Sequence, residues 1–330
     1  MPLSDNHTFG VESLTEAINE LPATPSILGD LGIFKKEFKT TTHVSVERKE
    51  NILTLVANTP RGSVGDPVQS KRHAPKTFNM MHLVKDDIVR ADDVQNIRSF
   101  GSQNQTLAVA ELVNDKMLAM KADIDYTIEH ARLGALKGKI LDSDGKTVIT
   151  DIYKEFGMTR KTINWELSGA TTQVTKLINS YKQDIAKLRR GESVTGHLCL
   201  VSPEFMNTLI AHQSVEKYYA RHQDGLLYRE GNTDVEFIHN GIKFVVYADE
   251  FESGLKLADD EGIILPLGTR GAFFEYYAPA DMNSTVNTKA LAYYAMREKL
   301  GMDKGWELHA QSNPLPLVLR PDLVQTVKLT

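Results

Sequence analysis

Residues 104–136 read NQTLAVAELVNDKMLAMKADIDYTIEHARLGAL, and this stretch decides the fold. Apolar side chains recur in it at spacings of three and four, which places them on one face of an α-helix: Ala110, Val113, Met117, Met120, Ile124, Ile128, Ala131 and Ala135. Gly138 is a helix-stop residue. A helix over these residues is roughly 45 Å long, which exceeds the usual globular helix.

Strand patterns lie on both sides of this helix. Before it, Val44 and Val46 alternate with polar residues, Ile52 to Val56 is a second candidate strand, and an alternating stretch from Phe78 to Val84 predicts the returning strand of a large open hairpin. After it, two glycine turns predict tight hairpins, at Asp144-Gly145 and at Asn240-Gly241. Helices at 174–188 and 203–211 and strands at 197–201, 263–267, 273–277 and 315–329 complete an α+β pattern without regular βαβ alternation.

A segment between the hairpin strands has no apolar periodicity. Residues 57–74 are rich in Gly, Pro, Ser and basic side chains, and a structureless loop of that length is rare unless it is functional. We predict an arm that becomes ordered on neighbouring copies of the chain. Residues 57–76, called the basic segment here, contain Arg61, Lys71, Arg72 and Lys76 against Asp66 alone.

An acidic run follows the hairpin: Asp86, Asp87, Asp92 and Asp93. Paired carboxylates can serve acid/base chemistry or metal binding, but a solvated or interface surface is the favoured interpretation. We therefore propose these four aspartates and the four basic residues of the basic segment as inter-subunit contacts. Charge reversal at both Arg61 and Arg72 is predicted to impair assembly while leaving monomer folding intact.

Composition limits the function classes. The 330 residues are 41% hydrophobic and 25% charged with a net charge of −5, which is normal for a globular protein and argues against a general nucleic-acid binder. No run reaches the roughly 20 apolar residues that span a bilayer, and the N-terminus lacks a secretory pattern, so we expect folding in a cytoplasm. The lone Cys199 excludes an intrachain disulfide and sits in an apolar strand, which predicts a buried inert thiol.

No motif points to catalysis, a metal or a cofactor. Gly134 to Lys139 differs from a phosphate-binding loop in spacing and ends a helix instead of opening one. Asp142-Ser-Asp144-Gly145 lacks the remaining ligands of a calcium loop and favours a turn. No HExxH or GxSxG pattern occurs. We expect a protein that is not an enzyme and needs no cofactor.

The order of elements resembles that of tailed-phage major capsid proteins with the Hong Kong 97-type fold, and more closely the lambda-type capsid E family. The resemblance rests on residues 27–47 (ILGDLGIFKKEFKTTTHVSVE), the long loop, residues 100–140, TINWELSG (162–169), LVSPEFMNTLIAHQSVEKYY (200–219) and HAQSNPLPLVLRPDLVQTVKL (309–329). It implies the following division: an N-terminal arm at 1–34, an extended E-loop at 35–85, a peripheral domain with a long spine helix at 86–165 and 269–312, and an axial domain at 166–268 and 313–330.

The same resemblance implies a structural role. Pentamers and hexamers of the chain would close an icosahedral shell around double-stranded DNA, with weak non-specific DNA contact, in the virion and after assembly in the bacterial host cytoplasm. The implied partners are further copies of the chain, a separate scaffolding protein (because the N-terminal region is short), a portal protein and a decoration protein, with no membrane.

Three alternatives stay open at this point. A nanocompartment shell of the same fold would package cargo enzymes instead of a genome. An unrelated α+β enzyme with an unrecognised site would stay small and catalyse a reaction. A tail or adhesion component would use the loop for binding, although the order of elements argues against it.

Overall fold

The structure is a computed structural model that describes residues 11–46, 75–94, 105–169, 172–189, 191–216, 218–219 and 236–330. The described α-helices are α1 (Val11–Glu20), α2 (Ile27–Asp30), α3 (Ala91–Val94), α4 (Gln105–Lys137), α5 (Ile152–Phe156), α6 (Val174–Leu188) and α7 (Pro203–Ala211). None of these helices is both long and apolar enough to cross a lipid bilayer.

Sixteen strands are described: β1 (Lys35–Phe38), β2 (His43–Val46), β3 (Lys76–Asn79), β4 (Leu83–Arg90), β5 (Lys139–Leu141), β6 (Val148–Asp151), β7 (Lys161–Asn164), β8 (Gly196–Val201), β9 (Glu236–His239), β10 (Ile242–Val246), β11 (Glu261–Leu267), β12 (Phe273–Tyr277), β13 (Tyr294–Lys299), β14 (Gly305–Ser312), β15 (Pro314–Val318) and β16 (Gln325–Lys328). They form sheets in the orders β1-β12-β15, β7-β16-β11-β8-β10-β9, β13-β14-β4, β2-β3 and β5-β6. The α+β class is confirmed.

The long helix predicted at 104–136 is α4, at Gln105–Lys137, and Gly138 ends it with φ of 92°. The predicted face is buried from Val113 to Ala135. Ser202 accepts a hydrogen bond from the backbone N–H of Phe205 and so caps α7, where the sequence predicted a helix start. Both predicted glycine hairpins are present, since β5 pairs with β6 and β9 with β10, each antiparallel. Gly145 and Gly241 adopt positive φ values in the turns.

The predicted open hairpin is present at its base, and its returning side differs from the prediction. β2 pairs with β3, and the backbone N–H of Met80 donates to the carbonyl oxygen of Thr42 at 3.1 Å. The alternation from Phe78 to Val84 is interrupted, because Met80 to His82 separate β3 from β4 and Met81 is the buried residue there. The candidate strand Ile52 to Val56 lies outside the described residues.

The chain divides into two compact units. The first takes the described residues within Met1–Val44, Thr77–Arg132 and Phe274–Pro316. Its core places α1 and α4 against one face of the β13-β14-β4 sheet, with buried side chains at Leu14, Ile18, Val89, Val113, Met117, Met120, Ile124, Ile128, Ala295, Leu308 and Ala310.

The second unit takes the described residues within Ser45–Lys76, Leu133–Phe273 and Leu317–Thr330. Its six-stranded sheet carries the central buried strands β8 and β11. The aromatic rings of Trp165, Phe205 and Phe244 pack together in its interior. Cys199 is fully buried and burial raises the pKa of its thiol, so the prediction of an inert thiol agrees with its surroundings.

A ladder of buried charges on α4 holds the N-terminal segment in the first unit. Lys121 donates to the carbonyl oxygens of Ile18 and Leu21, at 2.9 and 2.6 Å. Asp125 accepts from the backbone N–H of Thr24 at 2.9 Å. The resemblance implied an N-terminal arm at 1–34. Its described part packs on α4, where charged side chains of the helix satisfy its backbone groups.

Candidate subunit interface

The outer face of the β13-β14-β4 sheet carries the first of the predicted contact residues. Strand alternation sends one set of side chains toward α4 and the other set outward. The outward set is Asp86, Ile88 and Arg90 of β4, Glu307 and His309 of β14, and Met296 and Glu298 of β13, all exposed or partly exposed. No described element covers this outward set.

Asp86 and Asp87 are adjacent in sequence but lie on opposite faces of β4. Asp86 Oδ1 is 2.6 Å from Nδ1 of His309, its register partner on β14. Asp87 Oδ2 accepts from Lys116 Nζ of α4 at 2.8 Å, and this hydrogen bond lowers the pKa of Asp87. The two carboxylates therefore have different surroundings, which the sequence run did not reveal.

Asp92 and Asp93 lie on α3, and both are exposed. Asp93 Oδ2 accepts from the backbone N–H of Arg90 at 2.9 Å. Asp86, Asp87 and Asp93 thus each contact a group of their own chain, and Asp86 is the one of these three that lies on the outward sheet face.

Among the basic candidates, Lys76 alone is described. Its Nζ is 3.6 Å from Glu155 Oε2, and both side chains are about half exposed, so the pair contributes about 0–1 kcal/mol. Arg61, Lys71 and Arg72 lie outside the described residues.

Side chains of the same chain bond backbone groups on both edges of the β13-β14-β4 sheet. At β13, Thr15 Oγ1 donates to the carbonyl oxygen of Ala295 at 3.1 Å and accepts from its N–H at 3.2 Å, while Asn19 bonds the carbonyl and N–H of Tyr293 at 2.9 and 3.3 Å.

At the β4 edge, Asp87 Oδ1 accepts from the backbone N–H of Ile88 at 2.7 Å, beside the bond from Arg90 to Asp93. Exposed strand edges recruit other strands unless they are blocked. These backbone groups are therefore not free to pair with a strand of another chain. The outer face of the sheet is the better candidate for contact with another copy.

A groove of about 650 Å³ opens on this face. Its lining is Asp86, Asp281, Met282, Asn283, Ser284, Met296, Glu298, Glu307 and His309. Sequence patterns did not connect Asp281, Glu298, Glu307 and His309 with Asp86, because these residues lie some 200 positions after it. The alternation of apolar and polar residues from Trp306 to Gln311 is the pattern that would have placed Glu307 and His309 on one face.

The described residues provide no metal-type cluster of three or more His, Cys, Asp or Glu. Asp144 accepts hydrogen bonds from the N–H groups of Lys146 and Thr147 and from the Thr147 hydroxyl, which together lower its pKa to about 2. The segment that was compared with a calcium loop is thus a β-turn in which this carboxylate is already engaged.

Comparisons with known proteins agree with this architecture. Residues 10–329 match the family model of phage major capsid protein E. The major capsid protein of Salmonella phage Felix O1 is 24% identical, with 98% of this chain and 97% of the relative covered. The major capsid protein of Pseudomonas phage KPP10 is 27% identical, with 96% of each covered.

Solved structures show the same fold at low identity. A capsid protein of an Escherichia coli CFT073 prophage has a TM-score of 0.61 at 14% identity, over 98% of this chain and 99% of that one. A chain of the mature capsid of bacteriophage PhiM1 has a TM-score of 0.54 at 13% identity, over 94% and 89%. The expected Hong Kong 97-type capsid fold is thereby confirmed. The chain belongs to the phage major capsid protein E family, and its function is that of a phage major capsid protein.

Proposed function

We propose that copies of this chain form pentamers and hexamers that close an icosahedral shell around double-stranded DNA. The observation that carries the proposal is the collinear match of residues 10–329 to a family of phage major capsid proteins. Rings of identical subunits need head-to-tail contacts between different surfaces of neighbouring copies. The basic segment and the outward sheet face differ in charge, which makes them candidates for such a contact.

We propose the following division of labour along the chain, which keeps the boundaries implied by the resemblance. Residues 1–34 serve as the N-terminal arm, 35–85 as the E-loop, 86–165 and 269–312 as the peripheral domain, and 166–268 and 313–330 as the axial domain. The helix α4 would act as the spine of the peripheral domain. Support for this division comes from the position of α4 in the element order and from the paired strands at the base of the loop.

The role we propose is structural and not catalytic, with assembly in the bacterial host cytoplasm. A scaffolding protein, a portal protein and a decoration protein are the proposed partners beside further copies of the chain. The net charge of −5 supports weak and non-specific contact with the enclosed DNA.

The test is expression of the full chain with and without its neighbouring genes, followed by negative-stain electron microscopy and nuclease treatment. We expect closed shells of uniform diameter that protect double-stranded DNA when packaging proteins are present. A chain that stays monomeric with those partners, or shells that retain an enzyme cargo and no DNA, would contradict the proposal.

A further inference from the structure

We propose that the exposed face of α6 contacts the phosphate groups of the double-stranded DNA inside the shell. This face consists of Lys176, Ser180, Gln183 and Lys187 and is called the lysine face here. The inference rests on the proposed shell, and it names the surface that makes the weak, non-specific DNA contact of that proposal.

The lysine face lies on the side of α6 opposite its core. Its members are spaced by four, three and four residues, so they form one line along the helix. All four are exposed, whereas the opposite side is buried at Val174, Ile178, Tyr181 and Ile185. Lys176 and Lys187 lie roughly 16 Å apart along the helix axis. The face is thus a straight surface open to solvent, with a cation near each end.

The first argument is that α6 lies in a basic part of an acidic chain. Residues 161–190 contain six Lys or Arg against two acidic residues, whereas the whole chain has a net charge of −5. The one carboxylate of α6, Asp184, pairs with Lys161 at 2.5 Å. Among the described residues, no group pairs with the side chain of Lys176 or Lys187. The lysine face therefore keeps two uncompensated positive charges, which attract an anionic partner.

The second argument is the position of Lys176 within the helix. It lies in the first turn of α6, which contains no acidic residue. The first turn carries the positive end of the helix dipole, so a cation there is unfavourable in the free subunit. Lys187, in the last turn, suits the negative end and has a structural explanation. An anion beside Lys176 would be attracted by its ammonium and by the helix N-terminus together, which removes the conflict.

The third argument is the chemistry of the side chains, which favours phosphate over a protein partner. Lys, Ser and Gln donate hydrogen bonds to phosphate oxygens in contacts that do not depend on base sequence. Protein–protein interfaces have an apolar or aromatic centre and are depleted in lysine. The lysine face contains no apolar side chain. Its composition therefore fits a surface that meets a nucleic-acid backbone.

The strength of the contact also agrees with an enclosed genome. A DNA duplex presents one negative charge for about every 1.7 Å of its axis, so phosphates are available wherever the duplex passes. Two lysines from one copy release few counterions, and a single subunit binds weakly. Repetition of the lysine face over a shell gives many such contacts at high effective concentration.

The first experiment measures how full-length subunits bind a short DNA duplex of mixed sequence, by fluorescence anisotropy at several salt concentrations. For Lys176→Gln with Lys187→Gln we expect binding about tenfold weaker at low salt and a salt slope smaller by about two, because two phosphate contacts are lost. The thermal midpoint of Lys176→Gln should equal or exceed that of the wild type, because the first turn loses an unfavourable cation. Unchanged affinity and salt slope would overturn the inference.

Two further variants serve as controls. Lys146→Gln with Lys154→Gln removes the same charge from exposed positions of the same unit and should bind DNA like the wild type. Lys176→Arg with Lys187→Arg should retain binding, because arginine also pairs with phosphate. All these variants should close shells in wild-type yield, since the proposed contact is with DNA and not between copies. An equal loss of DNA binding in the Lys146 and Lys154 control would show an effect of net charge and would contradict a site on α6.

The second experiment identifies the partner inside filled shells. A photoactivatable aryl azide is attached to chains with Lys176→Cys, and shells of these chains are filled with DNA and irradiated. The native Cys199 is fully buried and gives little background. We expect protein–DNA adducts, and far fewer from chains with Lys146→Cys. Protein–protein adducts in place of DNA adducts would refute the inference while the proposed shell stands. Failure of the wild type to form shells that enclose DNA would refute both.

Discussion

The backbone N–H of Leu28 donates to Oε1 of Glu129 at 2.7 Å, and both residues are buried. This contact is one step of the ladder that α4 presents to the N-terminal segment. Glu129 lies one helical turn beyond Asp125, which in turn lies one turn beyond Lys121. Arg132 completes the ladder and bonds Glu275 through Nε and Nη2 at 2.9 and 3.0 Å.

The Arg132–Glu275 pair should be strongly coupled. Burial by itself lowers the pKa of Arg132, but hydrogen bonds and charge from Glu275 outweigh it and raise that pKa. Arg132→Met leaves the Glu275 carboxylate buried without its cation, so we expect a loss of about 3–5 kcal/mol in the free energy of unfolding. Urea denaturation of the unassembled subunit at fixed concentration measures it. The double variant Arg132→Met/Glu275→Gln should recover much of the loss; additive losses would show that the pair is not coupled.

Glu129 should make stability depend on pH. Burial raises its pKa above 4.5 despite the N–H of Leu28 and the charge of Arg132. The folded chain then binds more protons than the unfolded chain between 4.5 and the raised pKa, so the contribution of Glu129 to stability falls as pH rises through that window. The difference in unfolding free energy between wild type and Glu129→Gln should fall across the same window. Glu111→Gln is the exposed control, and a difference that rises with pH would contradict the assignment.

The edge-closing side chains should suppress aggregation of the free subunit. Thr15→Val with Asn19→Leu removes the partners of backbone groups on Tyr293 and Ala295, at a cost of about 1–3 kcal/mol for each group left unsatisfied. We expect lower stability and faster growth of light scattering in unassembled protein. Thr127→Val is the control, because that exposed hydroxyl donates to the backbone carbonyl oxygen of Asp123 within α4. Equal scattering in the two variants would count against an edge-closing role.

Met302, at the tip of the β13–β14 hairpin, is 90% exposed with φ of 62°. A left-handed conformation costs a side-chain-bearing residue about 1–2 kcal/mol, and glycine loses roughly 0.5–1 kcal/mol in chain entropy. Met302→Gly should therefore raise the unfolding free energy by up to about 1 kcal/mol. Gly305→Ala should lower it by about 1–3 kcal/mol, because a Cβ there would lie 2.2 Å from the carbonyl oxygen of Val89. Thermal unfolding of both variants checks the opposite signs.

Charge reversal in the basic segment should affect assembly alone. Arg61→Glu with Arg72→Glu is expected to reduce shell yield while the circular dichroism and thermal midpoint of the free subunit stay unchanged. The control is Lys176→Glu with Lys187→Glu, which makes the same charge change at exposed positions of α6. Normal shell yield from the variant Arg61→Glu with Arg72→Glu would contradict the predicted contact.

Local patterns predicted the elements they belong to. The apolar stripe of α4 placed the helix within one residue of its observed bounds, because one continuous face is buried along its length. Asn240-Gly241 placed a hairpin, because both residues adopt the positive φ values that its turn requires. These features depend on neighbours in sequence and need no knowledge of the rest of the chain.

The surroundings of the charged residues could not be predicted from local sequence patterns. The charges on α4 at Lys121, Asp125 and Glu129 look like a solvated stripe until the segment near residues 18–28 covers them. Asp86 and Asp87 look like one acidic cluster, yet strand geometry separates them, and the residues beside Asp86 come from β13 and β14. In both cases the deciding contact joins positions about 100 to 220 residues apart, which no local periodicity encodes.

The side chains that bond the edges of the β13-β14-β4 sheet affect how free subunits associate at high concentration. A capsid protein meets many identical chains before a shell has closed, and unblocked edge strands would pair into open-ended stacks. Thr15, Asn19, Asp87 and Asp93 bond backbone groups of the edge strands within one chain, which leaves fewer groups that could pair with another chain. Association of free subunits through their sheet faces is then favoured over open-ended pairing of their edge strands.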